Sequence, residues 1–367
     1  MYRCQLADNE MRKVLIVAPS LDVEKNVSGI SAVVNFIIAN NREYEYVHFM
    51  QGKSDNEKGG LERVKRLLKN YRRWTALMKT SDDFIIHYSF PLDAFSVIRD
   101  YFFMRAAYRL DRKMLVHVHG GLYLFREDKP FIIQWLLNKV FSWEVPIVVL
   151  SEKEKQHIQQ NYHTKNITVL PNTVDLSVAA SYHKEISSNK LDILYLGRIE
   201  PNKGMDYLLD AMKSLKEKHM DFTLHFAGAE QGGTEYVEKF SHLLGNQFVY
   251  EGVVMGEKKT ALFKQCQVFI LPSLFEGLPV SLLECMSFGL VPVVTNVGSI
   301  SEYVKDKENG LFLKVKDVNS IIQALDILSN DKSMVKKMSV AARQTIFEQL
   351  RPEAYVSKLN NLYAELG

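Results

Sequence analysis

At 367 residues the chain is long for a single core; at about 150 residues per domain it is expected to form two. Hydrophobic residues make up 47% and charged residues 24%, the balance of a soluble globular protein, and a net charge of +3 is too small to point to nucleic acid. The three cysteines, Cys4, Cys266 and Cys285, lie too far apart for a disulfide framework or a zinc pattern, so a reducing cytoplasm is expected. No apolar run approaches the ~20 residues of a membrane span.

The N-terminus, Met1 to Glu10, is polar and lacks the apolar centre of a signal peptide. It reads as a loose extension, with Met11 able to serve as a start of its own. Short runs rich in Val and Ile follow: Lys13 to Pro19, Tyr46 to Met50, Phe84 to Tyr88, Met114 to His119, Pro146 to Leu150 and Ile167 to Leu170. They are nearly continuous rather than alternating, as strands buried on both faces of a parallel sheet are. Helical stretches separate them.

Between the first two strands, Ser28-Gly29-Ile-Ser31 opens an apolar helix, and Gly29 would let that loop approach a phosphate. Leu61 to Lys79 is amphipathic at helical spacing. Leu61, Val64, Leu67, Leu68, Tyr71, Trp74, Leu77 and Met78 form one side, and seven basic residues run from Arg63 to Lys79 with no acid among them. Tyr101 to Lys113 mixes aromatic and basic residues in the same way. Two readings stand: a core-facing helix with a solvated basic face, or docking on an anionic membrane surface or a lipid-diphosphate-linked acceptor. His117-Val-His119-Gly120-Gly121 closes the fourth strand, with both histidines pointing to one side. No third ligand adjoins them and no Asp-x-Asp pair occurs, so no metal site is expected.

The polar stretch Asp175 to Lys190 reads as a linker, after which the pattern restarts. Strand-like runs lie at Asp192 to Gly197, Phe222 to Gly228, Phe248 to Tyr250, Val268 to Pro272, Val291 to Thr295 and Gly310 to Leu313. Two strand–helix series of similar size predict two Rossmann-like domains, at 1–178 and 185–349. The last helix, about 352–366, has Tyr355, Leu359 and Leu362/Tyr363 on one face and is expected to pack back on the first domain.

Ligands of open parallel sheets sit beyond the carboxyl ends of the strands, so motifs just after strands should carry the chemistry. Pro272-Ser-Leu-Phe-Glu276-Gly277-Leu278-Pro279-Val280 leads from a strand into a helix that contains Glu284. Gly277 permits close approach, Pro279 suits the first helical turn, and the free amides of that turn form an anion site. Glu276 and Glu284 are suited to accept hydrogen bonds from paired hydroxyls, as a sugar or a ribose presents them. Arg198 and Lys203, after the strand ending at Gly197, are placed to clamp a diphosphate.

These stretches resemble retaining glycosyltransferase family 4, of GT-B fold. The resemblance rests on Leu196-Gly-Arg198 with Lys203-Gly204, Phe226-Ala-Gly228, Glu276-x7-Glu284 followed by Gly289-x-x-Pro292, Pro171-Asn172-x-Val174-Asp175, and Asn309-Gly310. It covers nearly the whole chain and is densest from Asp192 to Leu313. It implies that Arg198 and Lys203 bind the donor diphosphate. Glu276 with the amides of Gly277 and Leu278 would hold the transferred sugar. Val280 would sit near the phosphates, Glu284 on the ribose, and Gly252-Val253-Val254 beside the base. It favours His119, just before Gly120, as the cleft residue near the sugar, with His117 and His87 structural. Family members usually carry two adjacent glycines where this chain has Ser28 and Gly29.

The activity implied is metal-independent transfer, with retention, from a UDP- or GDP-sugar to a glycan or lipid-diphosphate-linked saccharide in surface polysaccharide biosynthesis. No cofactor is implied, and the expected location is cytoplasmic, peripheral at the inner face of the cell membrane. The rivals are a sugar-nucleotide epimerase of the same fold and a non-catalytic nucleotide-sugar-binding paralogue. Retention of both glutamates, Arg198 and Lys203 speaks against the latter.

Overall fold

The structure, a computed structural model, describes residues 12–22, 26–52, 60–80, 83–162, 164–186, 190–231 and 233–367. The expected extension Met1 to Glu10, with Cys4, lies outside them. The first half runs β1 (Lys13–Ala18), α1 (Gly29–Asn40), β2 (Glu45–Met50), α2 (Leu61–Met78), β3 (Phe84–Phe90), α3 (Ala94–Arg109), β4 (Met114–Val118), α4 (Leu122–Phe125), α5 (Phe131–Phe141), β5 (Ile147–Val149), α6 (Glu152–Tyr162), β6 (Ile167–Val169) and α7 (Ser177–Ala180). The second runs β7 (Leu191–Leu196), α8 (Met205–Glu217), β8 (Phe222–Ala227), α9 (Tyr236–Leu244), β9 (Phe248–Gly252), α10 (Gly256–Gln265), β10 (Val268–Leu271), α11 (Val280–Ser287), β11 (Val291–Thr295), α12 (Ile300–Tyr303), β12 (Leu311–Leu313), α13 (Val318–Asn330), α14 (Lys332–Gln349) and α15 (Pro352–Glu365).

Each half builds a six-stranded parallel sheet, ordered β2-β1-β3-β4-β5-β6 and β12-β11-β10-β7-β8-β9. The unbroken apolar runs are explained by helices on both faces. Val14 and Ile16 of β1 join one core, and Leu15 and Val17, one residue out of phase, join the other. The linker region is partly helical, with α7 inside it.

Helix α2 decides between the two readings residue by residue. Trp74 and Met78, in the stripe for which a core-facing and a membrane-docking reading both stood, are fully buried, and Trp74 Nε1 donates to the Phe103 carbonyl at 2.7 Å. Leu67, Tyr71 and Leu77 pack on the same core, whereas Val64 and Leu68 face solvent. The stripe is therefore split: its C-terminal part anchors α2 on α3, as a core helix does.

Helix α15 crosses back to the first sheet. Asn41 Nδ2 donates to Asn360 Oδ1 at 2.6 Å, Tyr355 meets Phe36 edge-on at 5.8 Å, and the Tyr363 hydroxyl lies 2.6 Å from His87 Nδ1. Burying Tyr355, Leu359 and Tyr363 stabilises this crossing by about 1.5–3 kcal/mol each. Among the described residues no helix is long and apolar enough to cross a membrane.

Candidate active site between the two sheets

The carboxyl ends of both sheets face one cleft, and its walls are built from short strand-to-helix turns. On the N-terminal side Ser28 caps α1, its Oγ accepting from Ser31 N at 3.2 Å. Asn26 Nδ2 holds this turn by donating to Ser20 O and Ser31 Oγ. On the other side α11 begins at Val280, and a Cβ on Gly29 would lie 3.9 Å from Val280 Cγ2. The N-termini of α1 and α11 thus face each other at van der Waals distance. Both direct the positive end of a helix dipole toward the cleft.

Positive side chains complete this anion-binding geometry. Arg198 follows β7 and donates from Nη2 to Asn26 Oδ1 at 3.1 Å, joining the two walls. Lys203 ends a 3-10 turn, and its Nζ lies 2.7 Å from Glu276 Oε1. Gly204 after it has φ +77, and a Cβ there would fall 2.1 Å from the Pro272 carbonyl. Only glycine lets the β7 and β10 turns come so close. Ser273 Oγ donates to the same Glu276 oxygen at 2.7 Å, fixing the carboxylate.

The 276–278 loop is held from three directions. Ser299 N donates to the Gly277 carbonyl at 3.0 Å, Asn172 Nδ2 to the Leu278 carbonyl at 2.7 Å, and a Cβ on Gly277 would sit 2.9 Å from the His119 carbonyl. Gly120, with φ +71, faces Gly277 so closely that its Cβ would lie 2.7 Å from Gly277 Cα. Glu284, one helical turn into α11, pairs with Lys259 of α10 at 2.7 Å.

A cavity of about 300 Å3 gathers Gly29, Arg198, Lys203, Val253, Val254, Glu276, Pro279, Val280 and Glu284. It therefore joins most of the residues singled out in the sequence. His119, Gly120, Gly277 and Leu278 lie beside it and not on its lining. His119 stacks on His117 at 4.1 Å between ring centroids, and His117 Nδ1 lies 3.1 Å from His87 Nε2. Burial pushes His119 and His87 down to about 3 and His117 well below its ordinary value, so the row is neutral at physiological pH. Among the described residues, His119 Nε2 is buried without a hydrogen-bond partner, and no group of three His, Cys, Asp or Glu gathers as a metal site would require.

Sequence reasoning missed Asn26, Lys259 and Glu154. Asn26 lies two residues before the Ser28-Gly29 turn, a proximity that could have drawn attention to it. A lysine inside α10 gives no signal of its own. Glu154 of α6 is fully buried beneath the junction of the two walls. Its Oε2 accepts from Leu150 N at 2.8 Å and its Oε1 from Ser299 Oγ across the cleft at 3.2 Å. Desolvation pushes its carboxyl up to about 7.

Two Rossmann-like domains with their strand ends facing across a cleft define the GT-B fold. A solved structure of sucrose-phosphate synthase from Thermosynechococcus elongatus shares it, with a TM-score of 0.76 at 14% identity over 97% of this chain and 99% of its own. Residues 180–345 match the family model for glycosyl transferases group 1, so the chain carries a domain of that family. A glycosyltransferase of Methanocaldococcus jannaschii with no assigned activity is 29% identical over 257 residues, 66% of this chain and 65% of its own length. The UDP-Gal:alpha-D-GlcNAc-diphosphoundecaprenol alpha-1,3-galactosyltransferase of Escherichia coli is 25% identical over 268 residues, 69% of each chain. The matched stretches thus span about two thirds of the length of each of these relatives.

Proposed function

We propose that the protein is a retaining glycosyltransferase that moves a sugar from a nucleotide-diphosphate-sugar to a glycan or lipid-diphosphate-linked saccharide, without a metal or other cofactor. The observation that carries this reading is the single cavity joining Arg198, Lys203, Glu276, Glu284 and two opposed helix N-termini. Two cations and two sets of amides suit a diphosphate whose charge rises as it leaves, and preorganised donors of this kind act without reorganisation cost. A divalent ion has no necessary part when such groups already neutralise the leaving group.

In this reading Glu284 accepts from the ribose hydroxyls, Val253 and Val254 border the base, and Glu276 with the Gly277 and Leu278 amides holds the transferred sugar. The bond from the anomeric carbon to the diphosphate oxygen breaks. The acceptor oxygen bonds to that carbon on the same face, and its proton passes to the departing phosphate oxygen. In the same reading neutral His119, beside the cavity, donates from a ring nitrogen to a hydroxyl of the transferred sugar. A uridine donor and a lipid-diphosphate-linked acceptor are favoured by the likeness to the Escherichia coli galactosyltransferase, whose name states both. That acceptor class puts the enzyme in surface polysaccharide assembly, on the cytoplasmic side and peripheral at the inner face of the cell membrane.

The test is a thermal-shift screen of UDP-, GDP- and ADP-sugars, in which a donor at 100 times its dissociation constant adds about 2.7 kcal/mol of stability. The shifting donor is then incubated with and without saccharide acceptors, in EDTA. Acceptor-dependent release of nucleotide diphosphate in EDTA supports the reading. A strict metal requirement overturns the metal-free part, and acceptor-independent isomerisation of the donor overturns the transferase.

A further inference from the structure

One face of the N-terminal domain is apolar on the outside as well as the inside. In α5 the inward residues Ile133, Leu136, Leu137, Val140 and Phe141 are all buried. Its outward residues are apolar too at the N-terminal end: Phe131 is 85% exposed, and Ile132 and Trp135 are exposed beside it, before Asn138 and Lys139 make the rest of that face polar. Three large apolar side chains exposed together at the start of one helix are more than scattered surface hydrophobics and mark an interaction surface. The neighbouring helices extend the feature, with Phe95, Ile98 and Phe102 exposed on α3 and Val64 and Leu68 on α2. Arg63 of α2 stacks its guanidinium 3.9 Å from the Phe95 ring centroid and joins the two helices.

Topology fixes where this patch lies. Helices α2 and α3 directly follow β2 and β3, and α5 follows β4 after the short α4, so the first turns of all three begin at the carboxyl end of the sheet. Phe131, Ile132, Trp135, Phe95, Ile98 and Val64 fall within the first two turns, and Leu68 and Phe102 in the third. All three helices pack on the same core, that of Leu15 and Val17. The patch is therefore a rim on one side of the cleft mouth.

Its charge is as one-sided as its hydrophobicity. Helices α2, α3 and α5 together carry ten basic residues and two acidic ones. Glu62 pairs with Lys65, and Asp100 is buried against Arg99 at 2.7 Å. Aromatic side chains set among unbalanced basic ones match a surface that is anionic at its headgroups and apolar just beneath. We propose that the rim formed by α2, α3 and α5 docks on anionic phospholipid, with Phe131, Ile132 and Trp135 inserted, and so holds the cleft mouth against the bilayer. This proposal adds a working surface to the proposed activity and does not depend on it.

The experiment is co-sedimentation of the full chain with phosphatidylglycerol and, separately, phosphatidylcholine vesicles, alongside the donor thermal shift. Binding is expected to phosphatidylglycerol only, to weaken as salt rises, and to blue-shift Trp emission in the wild type but not in Trp135→Phe. Phe131→Ser/Ile132→Ser/Trp135→Ser, and separately Arg66→Ser/Lys69→Ser/Arg72→Ser/Arg73→Ser, should each cut the bound fraction by about tenfold or more while the donor shift is unchanged. A wild type that keeps its donor shift yet stays in the supernatant with phosphatidylglycerol at low salt overturns the docking and leaves the transferase reading intact. Vesicle binding without any donor shift does the reverse. A dimer in light scattering that the Phe131 variant abolishes, without vesicle binding, gives the rim to a second copy and also overturns the proposal.

Discussion

Lys203 Nζ sits 2.7 Å from Glu276 Oε1, joining the turn after β7 to the turn before α11. Both side chains are largely shielded, and Ser273 holds the same carboxylate oxygen. In the proposed reading, a donor diphosphate entering beside this pair would meet a cation already fixed in position by a carboxylate.

Lys203→Ala is accordingly expected to lower kcat by about 10²–10³-fold, as removal of one preorganised donor does. Arg198→Ala should act similarly, because its guanidinium is held toward the α1 turn by Asn26. Urea midpoints of both variants should stay near wild type. Steady-state turnover with the preferred donor checks this, and near-normal kcat in both variants would remove the diphosphate clamp.

Glu284 lies 2.7 Å from Lys259, and both are partly accessible to the cavity. If Glu284 accepts from the ribose diol, Glu284→Ala should weaken nucleotide binding by roughly 1.5–3 kcal/mol, the range for a charged hydrogen bond. Lys259→Ala should weaken it less, since the lysine only orients the carboxylate. Calorimetric titration with the nucleotide diphosphate alone separates the two, and equal, wild-type affinities would take Glu284 out of the site.

Much of the fold was legible because buried parallel strands need continuous apolar runs: all twelve strands coincide with the strand-like runs, and only the edge strands β2 and β9 are largely unburied. Residues in turns after strands were legible for a related reason: Gly204, Gly277 and Pro279 are required locally by a close approach or a helix start. Asn26, Lys259 and Glu154 were not, because their partners Arg198, Glu284 and Ser299 lie far away in the chain. Helix α2 was ambiguous for a physical reason. Periodicity reports that a stripe exists, not what covers it, and the structure gives Leu67, Tyr71, Trp74, Leu77 and Met78 to the core and Val64 and Leu68 to solvent.

The two walls meet glycine against glycine. Gly277→Ala would bring a Cβ to 2.9 Å from the His119 carbonyl, and Gly120→Ala adds a φ of +71 to a 2.7 Å approach to Gly277 Cα. Backbone cannot yield as a flexible side chain does, so each variant must part the junction. Turnover is expected to fall by about 10²-fold, the loss that a misplacement of about 1 Å produces. Gly245→Ala, at a backbone conformation of φ +59 and ψ −122 that L residues rarely adopt but with open space around its Cβ, is the control and should cost about 1–3 kcal/mol of stability with activity kept. A Gly120→Ala enzyme as active as the Gly245→Ala control would mean that the close approach plays no part in catalysis.

Glu154 should make the protein's stability depend on pH in a direction opposite to that of a salt-bridged carboxylate. Its carboxyl is pushed up to about 7 from an ordinary 4.5, first by desolvation, and Glu302 nearby pushes the same way while Lys153 opposes it. A raised folded value means that the native chain holds this proton where the unfolded chain has released it. Stability from this group therefore grows as pH falls through 7, is fully present below about 4.5, and is lost as pH rises through 7. The size is on the order of 3 kcal/mol across that window. Glu154→Gln keeps the shape, mimics the protonated form and should flatten this part of the pH profile. Urea midpoints of wild type and variant, measured at steps from pH 5 to pH 8, give the comparison. The variant should gain on the wild type toward pH 8, and an identical slope in both proteins would assign the pH dependence elsewhere.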